Sequence, residues 1–142
     1  MQKKRWFALL LALVLVMSLL PISSLAAPVG QYEDVSEDAW YADAVKFVTE
    51  RGLMNGVSET AFAPDGTTSR AMIVTILYRA AGSPEAAKEN PFADVAAGSY
   101  YFAPVLWAVE NNITTGMDKT HFAPDNPCTR GQIVTFLYRY LG

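Results

Sequence analysis

Two arginines, Arg70 and Arg130, stand 60 positions apart, each directly after a residue suited to cap a helix, Ser69 in one case and Thr129 in the other. A cation in a first helical turn opposes the helix dipole by about 0.3–1 kcal/mol, so its appearance twice asks for a compensating partner. Two partners fit. A nearby acid would make a salt bridge, and Asp34 and Asp94, in matching Asp-Val steps, are the candidates. A bound anion would instead use the guanidinium together with the free amides of the helix start, an arrangement that suits a carboxylate or a phosphate.

The other reactive side chains carry less. His121 is the single histidine, so it completes neither a metal set nor a catalytic dyad. Cys128 is the single cysteine, which excludes an internal disulfide and a cysteine-rich zinc site; it reads as a loop residue standing where Thr68 stands 60 positions earlier. The acids of the Glu33–Asp38 stretch lie in a helix lead-in, and residues 58–66 lack the oxygen-ligand spacing of a calcium loop. No nucleophile, phosphate-cradling glycine loop or cofactor motif is present, so the sequence gives no catalytic residue and implies no metal or cofactor. Trp40 and Tyr100 are paired aromatics that either cap a core or lie open as a platform for a sugar ring, with the platform favoured for Trp40 because Phe47 and Trp107 have the better phase for the core.

The frame that positions these residues is a tandem repeat. Tyr32–Gly82 aligns without a gap on Phe92–Gly142, and about 19 of the 51 pairs are identical. In the first copy, Tyr41, Val45 and Val48 recur at helical spacing, with Ser36 or Asp38 available to cap and Gly52 to end the helix, which predicts a helix over about 39–51. Pro104 must fall in the first turn of the matching helix, which predicts a later start there. A turn-rich loop follows in each copy. Gly56 and Gly116 coincide in it and imply a positive φ or a close approach, Phe62 and Phe122 plug the base of the core, and Pro-Asp steps set the turn into the next helix. The second helix then opens at Ser69 or Thr129 and carries Ile73, Leu77 and Ala80, or Ile133, Leu137 and Tyr140, along one face; Thr129 with Gln132 forms a capping box that Met72 cannot complete in the first copy. Residues 83–91 form a polar linker belonging to neither copy.

Ahead of the repeats, residues 1–26 show a basic start, an apolar run from Trp6 to Leu20 and small residues at Ser24 and Ala26, the pattern of an export signal cleaved between Ala26 and Ala27. The run is shorter than the roughly 18 residues needed to span a bilayer, so no membrane anchoring is expected after cleavage. Losing Lys3, Lys4 and Arg5 moves the net charge from −3 to about −6, the wrong sign for a nucleic-acid partner.

The ordered set of aromatic-x-Asp-Val, Trp/Tyr-Tyr, an amphipathic helix, Gly, Phe-x-Pro, Ser/Thr-Arg and Leu-Tyr-Arg, found twice, resembles the S-layer homology (SLH) domain family. The resemblance implies an all-α fold of helix-loop-helix units in a pseudo-threefold bundle, with residues 32–82 and 92–142 as two units. It implies a non-enzymatic module that binds secondary cell wall polymer, a peptidoglycan-linked anionic and often pyruvylated glycan, and so attaches to the bacterial cell surface. The family's Thr-Arg-Ala-Glu motif maps to Ser69-Arg70-Ala71-Met72 and Thr129-Arg130-Gly131-Gln132, with the arginine present in both copies and the glutamate in neither. The family's remaining site positions map to Asp34, Asp94, Trp40, Tyr100, Gly56 and Gly116. Against this stands a scaffold reading, in which the arginines are structural and the surfaces contact other proteins. Two units where the family has three leave an apolar face to cover, which leads us to expect self-association or pairing with another SLH-bearing protein.

Overall fold

A computed structural model of the chain describes residues 32–86 and 89–142. The expected export signal and its expected cleavage between Ala26 and Ala27 lie outside the described residues. Among the described residues four helices are present: α1 (Ala42–Glu50), α2 (Arg70–Ala80), α3 (Phe102–Glu110) and α4 (Arg130–Leu141). Among the described residues no strand occurs, and no helix is long and apolar enough to cross a membrane.

The helix starts follow from local chemistry, with two corrections. Ser69 accepts from the Met72 amide, and Thr129 and Gln132 close a full capping box, so α2 and α4 begin at their arginines as expected. α1 and α3, however, begin at equivalent positions, Ala42 and Phe102, and the expected delay before Pro104 is absent. Pro104 is the third helical residue, where the amide has no intrahelical acceptor, so the ring costs no hydrogen bond. Nor do Ser36 or Asp38 cap α1 with their side chains; successive backbone turns, Ala39 to the Ser36 carbonyl and Ala42 to the Ala39 carbonyl, lead into it instead.

Both first helices end alike. Gly52 takes φ +63°, its amide donates to the Thr49 carbonyl, and Leu53 donates to Val48; Asn112 takes φ +57° with Val109 and Ala108 as the acceptors of the same two bonds. This paired closure uses the two residue types that tolerate the left-handed region best.

The core lies between the repeats. α2 packs on α3 and touches α4, and the central cluster takes Ala71, Val74 and Leu77 from α2 but its remaining members, among them Val105, Trp107, Ile113, Phe122 and Phe136, from the second repeat. α1 packs against no other helix of the described chain. Consequently the two candidate core aromatics separate: Trp107 is 6% exposed, edge-on to Tyr78 and Tyr140, while Phe47 is 50% exposed beneath the Arg51 guanidinium. Phe47 has the right phase, but none of the other described helices covers it. The predicted stripes also shift. Ala80 is exposed and Leu137 largely so, because α2 buries the face of Ala71, Val74 and Leu77, while α4 buries Phe136. The linker is not independent either: Ala86 packs on the core, and the Asn90 side chain donates to the Val95 carbonyl and accepts from the Phe92 amide.

Candidate functional site

The loops between the helices are built on one aspartate each. Asp34 accepts the Phe62 and Ala63 amides at 2.8 and 2.7 Å, and Asp94 accepts those of Phe122 and Ala123 at 2.9 and 2.7 Å. These bonds hold Ala63 and Ala123 at φ +56° and +57°, a region costly for alanine. They also lower the Asp34 pKa, the Phe62 amide contributing most. Neither aspartate pairs with an arginine at salt-bridge distance, so the ion-pair alternative for Arg70 and Arg130 is not the geometry found.

The two arginines play different roles. Arg70 is 2% exposed. It crosses to the second repeat, where its Nε donates to the Phe122 carbonyl at 2.9 Å and its guanidinium lies 4.8 and 5.4 Å from the ring centres of Phe122 and Phe136. Burial pulls its pKa down while the Cys128 and Asp94 charges push it up. The backbone around it is stitched to the same loop: Arg70 to the Asn126 carbonyl, Ala71 to Pro124, and Cys128 to Thr68. Cys128 is thus part of the contact between the repeats, and burial raises its pKa. Arg130, at the same helix position in the second repeat, is exposed.

Two equivalent grooves flank the second helices. The first, about 470 Å³, is walled by residues 53–57, the loop through Phe62 to Thr68, Met72, Thr75, Ile76 and Arg79, with Tyr100 of the second repeat on its rim. Gly56 belongs here because a β-carbon would meet the Tyr32 ring and the Ala61 and Ser58 carbonyls; its amide donates to the Tyr32 hydroxyl. Arg79 lines the groove and donates one Nη1 bond to the Leu53 carbonyl. Partial burial raises the phenol pKa of Tyr100. The second groove, about 400 Å³, is lined by Arg70, residues 114–117, Thr129, Gly131, Gln132, Thr135, Phe136 and Arg139. Gly116 sits at φ +87° against Phe92 and the Asp118 and His121 carbonyls, and Arg139 donates to the Ile113 carbonyl.

Of the residues singled out in the sequence, Tyr100 and Gly56 meet in the first groove, and Arg70, Thr129 and Gly116 in the second. Asp34 and Asp94 shape the loops instead of lining a groove, Ser69 caps α2, and Arg130 lies apart. Trp40 is 92% exposed, edge-on to Tyr41, and lines neither groove. Arg79 and Arg139 line the grooves although the sequence reading does not single them out. A cation in the last turn of a helix is favourable and raises no question; the repeated Leu-Tyr-Arg is the signal.

The loop beside the second groove predicts an acid response. Asp118 is held down to about 2 by the Thr120 amide and then by His121. A carboxylate with a depressed folded pKa contributes stability above the unfolded value near 4 and loses it as pH falls through about 2. Thermal melts across pH 2–5 are therefore expected to drop less steeply for Asp118→Asn than for the wild type; parallel curves would show that the turn carries no such linkage.

The SLH family model, described as the S-layer homology domain, matches residues 31–71 and 91–134. The chain is 32% identical over 94% of its length to a surface-layer 125 kDa protein of Lysinibacillus sphaericus, covering 11% of that protein. It is 29% identical over 97% of its length to an endoglucanase of a Bacillus sp., covering 15% of it, and 28% identical over 93% to a middle cell wall protein of Brevibacillus brevis, covering 13%. The chain thus spans only a small part of the length of each of these relatives.

Proposed function

The chain belongs to the S-layer homology domain family, and from that premise we propose that it is a non-catalytic attachment module that grips an anionic cell wall glycan in its grooves. Family membership and the surface-layer and cell-wall relatives support a place on the bacterial cell surface. The observation that carries the glycan reading is the first groove, where an arginine fork, turn backbone and the rim ring of Tyr100 converge on one concave space. A guanidinium can take a carboxylate such as a pyruvyl group, and an aromatic ring can take the apolar face of a sugar. The ligand class is a secondary cell wall polymer linked to peptidoglycan, and no cofactor is called for. The endoglucanase relative fits this reading, because the chain matches only a small share of it.

The test is sedimentation with purified cell walls, before and after extraction of their secondary polymers. Binding is expected to fall on extraction, and Arg79→Ala or Tyr100→Ala to weaken it about tenfold each, the equivalent of about 1.4 kcal/mol per site. Unchanged binding after extraction, or groove variants that bind like the wild type, would overturn it. The scaffold reading keeps one specific observation in its favour, the open apolar face of α4.

A further inference from the structure

A shift of 60 positions maps the first repeat onto the second, so the contact made inside the chain can be laid over the matching exposed surfaces of α1 and α4. α2 buries Arg70, Val74 and Leu77 against the second repeat; their counterparts on α4, Arg130, Val134 and Leu137, are exposed, as is Tyr138 at 75%. On the receiving side, α3 buries Trp107 and the loop buries Phe122. Their counterparts Phe47 and Phe62 are half-exposed and partly exposed. The chain therefore carries both halves of an interface whose internal copy is already formed. α1 and α4 do not meet within the chain, so one copy does not close on itself.

The second groove shows the same incompleteness. Its walls repeat those of the first, Gln132 for Met72, Thr135 for Thr75, Arg139 for Arg79, but the first groove also has Tyr100 from the following unit. The counterpart of Tyr100 is Trp40, which stands almost wholly in solvent. We infer that two copies of this chain dock head to tail, α1 of one against α4 of the other. Arg130 reaches the neighbouring copy's Phe62 carbonyl as Arg70 reaches that of Phe122, and the neighbouring copy's Trp40 becomes the missing rim of the second groove. A second copy is the occupant because each copy presents the counterparts of both sides of the contact between repeats, Arg130, Val134 and Leu137 on one and Phe47 and Phe62 on the other. Several positions depart from the template: Lys46 stands where Leu106 is buried, Val48 where Ala108 is and Ile76 where Phe136 is. Leu106 lies outside the central cluster, and a lysine stem covers apolar surface while its amine stays at the rim.

The contact is heterologous, and mixing tests that directly. Light scattering on the exported protein, without polymer, is expected to give at least twice the monomer mass at tens of micromolar. Tyr138→Glu, which spoils the tail, and Phe47→Glu, which spoils the head, are each expected to be monomeric alone and to form a one-to-one pair when mixed. Both positions are solvent-facing, and circular dichroism checks that helicity is kept; if glutamate disturbs it, serine at the same positions serves. A monomeric wild type, a mixture that stays monomeric, or association lost only in Tyr138→Glu would each overturn the proposal, the last pointing to α4 pairing with itself. The Trp40 assignment rests on the glycan reading. It is tested separately: Trp40→Ala is expected to leave the assembled mass unchanged and to weaken wall binding several-fold, and unchanged binding there would remove Trp40 from the groove without touching the assembly.

Discussion

Replacing Arg70 with alanine is expected to lower stability by about 2–4 kcal/mol, while Arg130→Ala shifts it by less than about 0.5 kcal/mol when measured below micromolar concentration. The residues share a motif and a helix position, so propensity and dipole terms cancel in the comparison. What differs is surroundings. The Arg70 side chain fills space between the Phe122 and Phe136 rings and supplies the Nε donor to the Phe122 carbonyl, so its removal leaves both a gap and a buried acceptor without that partner. For a domain of this size the loss corresponds to a melting point lower by on the order of 10 to 20 °C. Equal, small effects for the two variants would show that the buried guanidinium contributes no more than an exposed one. In the head-to-tail arrangement Arg130→Ala acquires its own cost only as concentration rises and copies pair, which separates a structural role within the chain from one between chains.

Local signals carried far in this chain, and non-local ones did not. The Ser69 and Thr129 caps and the left-handed closure at Gly52 each depend on residues within a few positions or on one turn, and each stands where the spacing puts it. The errors arise where two identical signals meet different neighbours. Phe47 and Trp107 have one phase but opposite exposure, because α2 lies over α3 and no other described helix lies over α1. Arg70 and Arg130 read as a matched pair of ligand groups, yet Arg70 is buried against the neighbouring repeat while Arg130 is exposed. The site was legible in part for the same reason. Gly56 and Gly116 mark the grooves through backbone geometry, whereas Arg79 and Arg139 gain their place there from the fold that brings helix ends beside residues 53 and 113.

Phe122→Ala is expected to cost about 3–5 kcal/mol and Phe62→Ala only about 1–3, although both sit in the same Phe-Ala-Pro-Asp turn held by an aspartate. Phe122 is fully buried, stacked near Phe92 at 5.8 Å between ring centres and covered by the Arg70 guanidinium from the first repeat. Phe62 has the matching neighbour, Tyr32 at 5.5 Å, but among the described residues no arginine lies over it, and its ring is partly in solvent. Burial sets the transfer term, and the aspartate bonds to the backbone survive either substitution, so the difference isolates what the neighbouring repeat adds. Denaturant unfolding of the two variants measures it. Were the chain to dock head to tail, Arg130 of the neighbouring copy would cover Phe62 as Arg70 covers Phe122, and the cost of Phe62→Ala should climb toward that of Phe122→Ala as protein concentration is raised. A gap between the variants that stays constant from sub-micromolar to hundreds of micromolar would mean that the first loop remains uncovered and that the exposed Phe62 ring is its settled state.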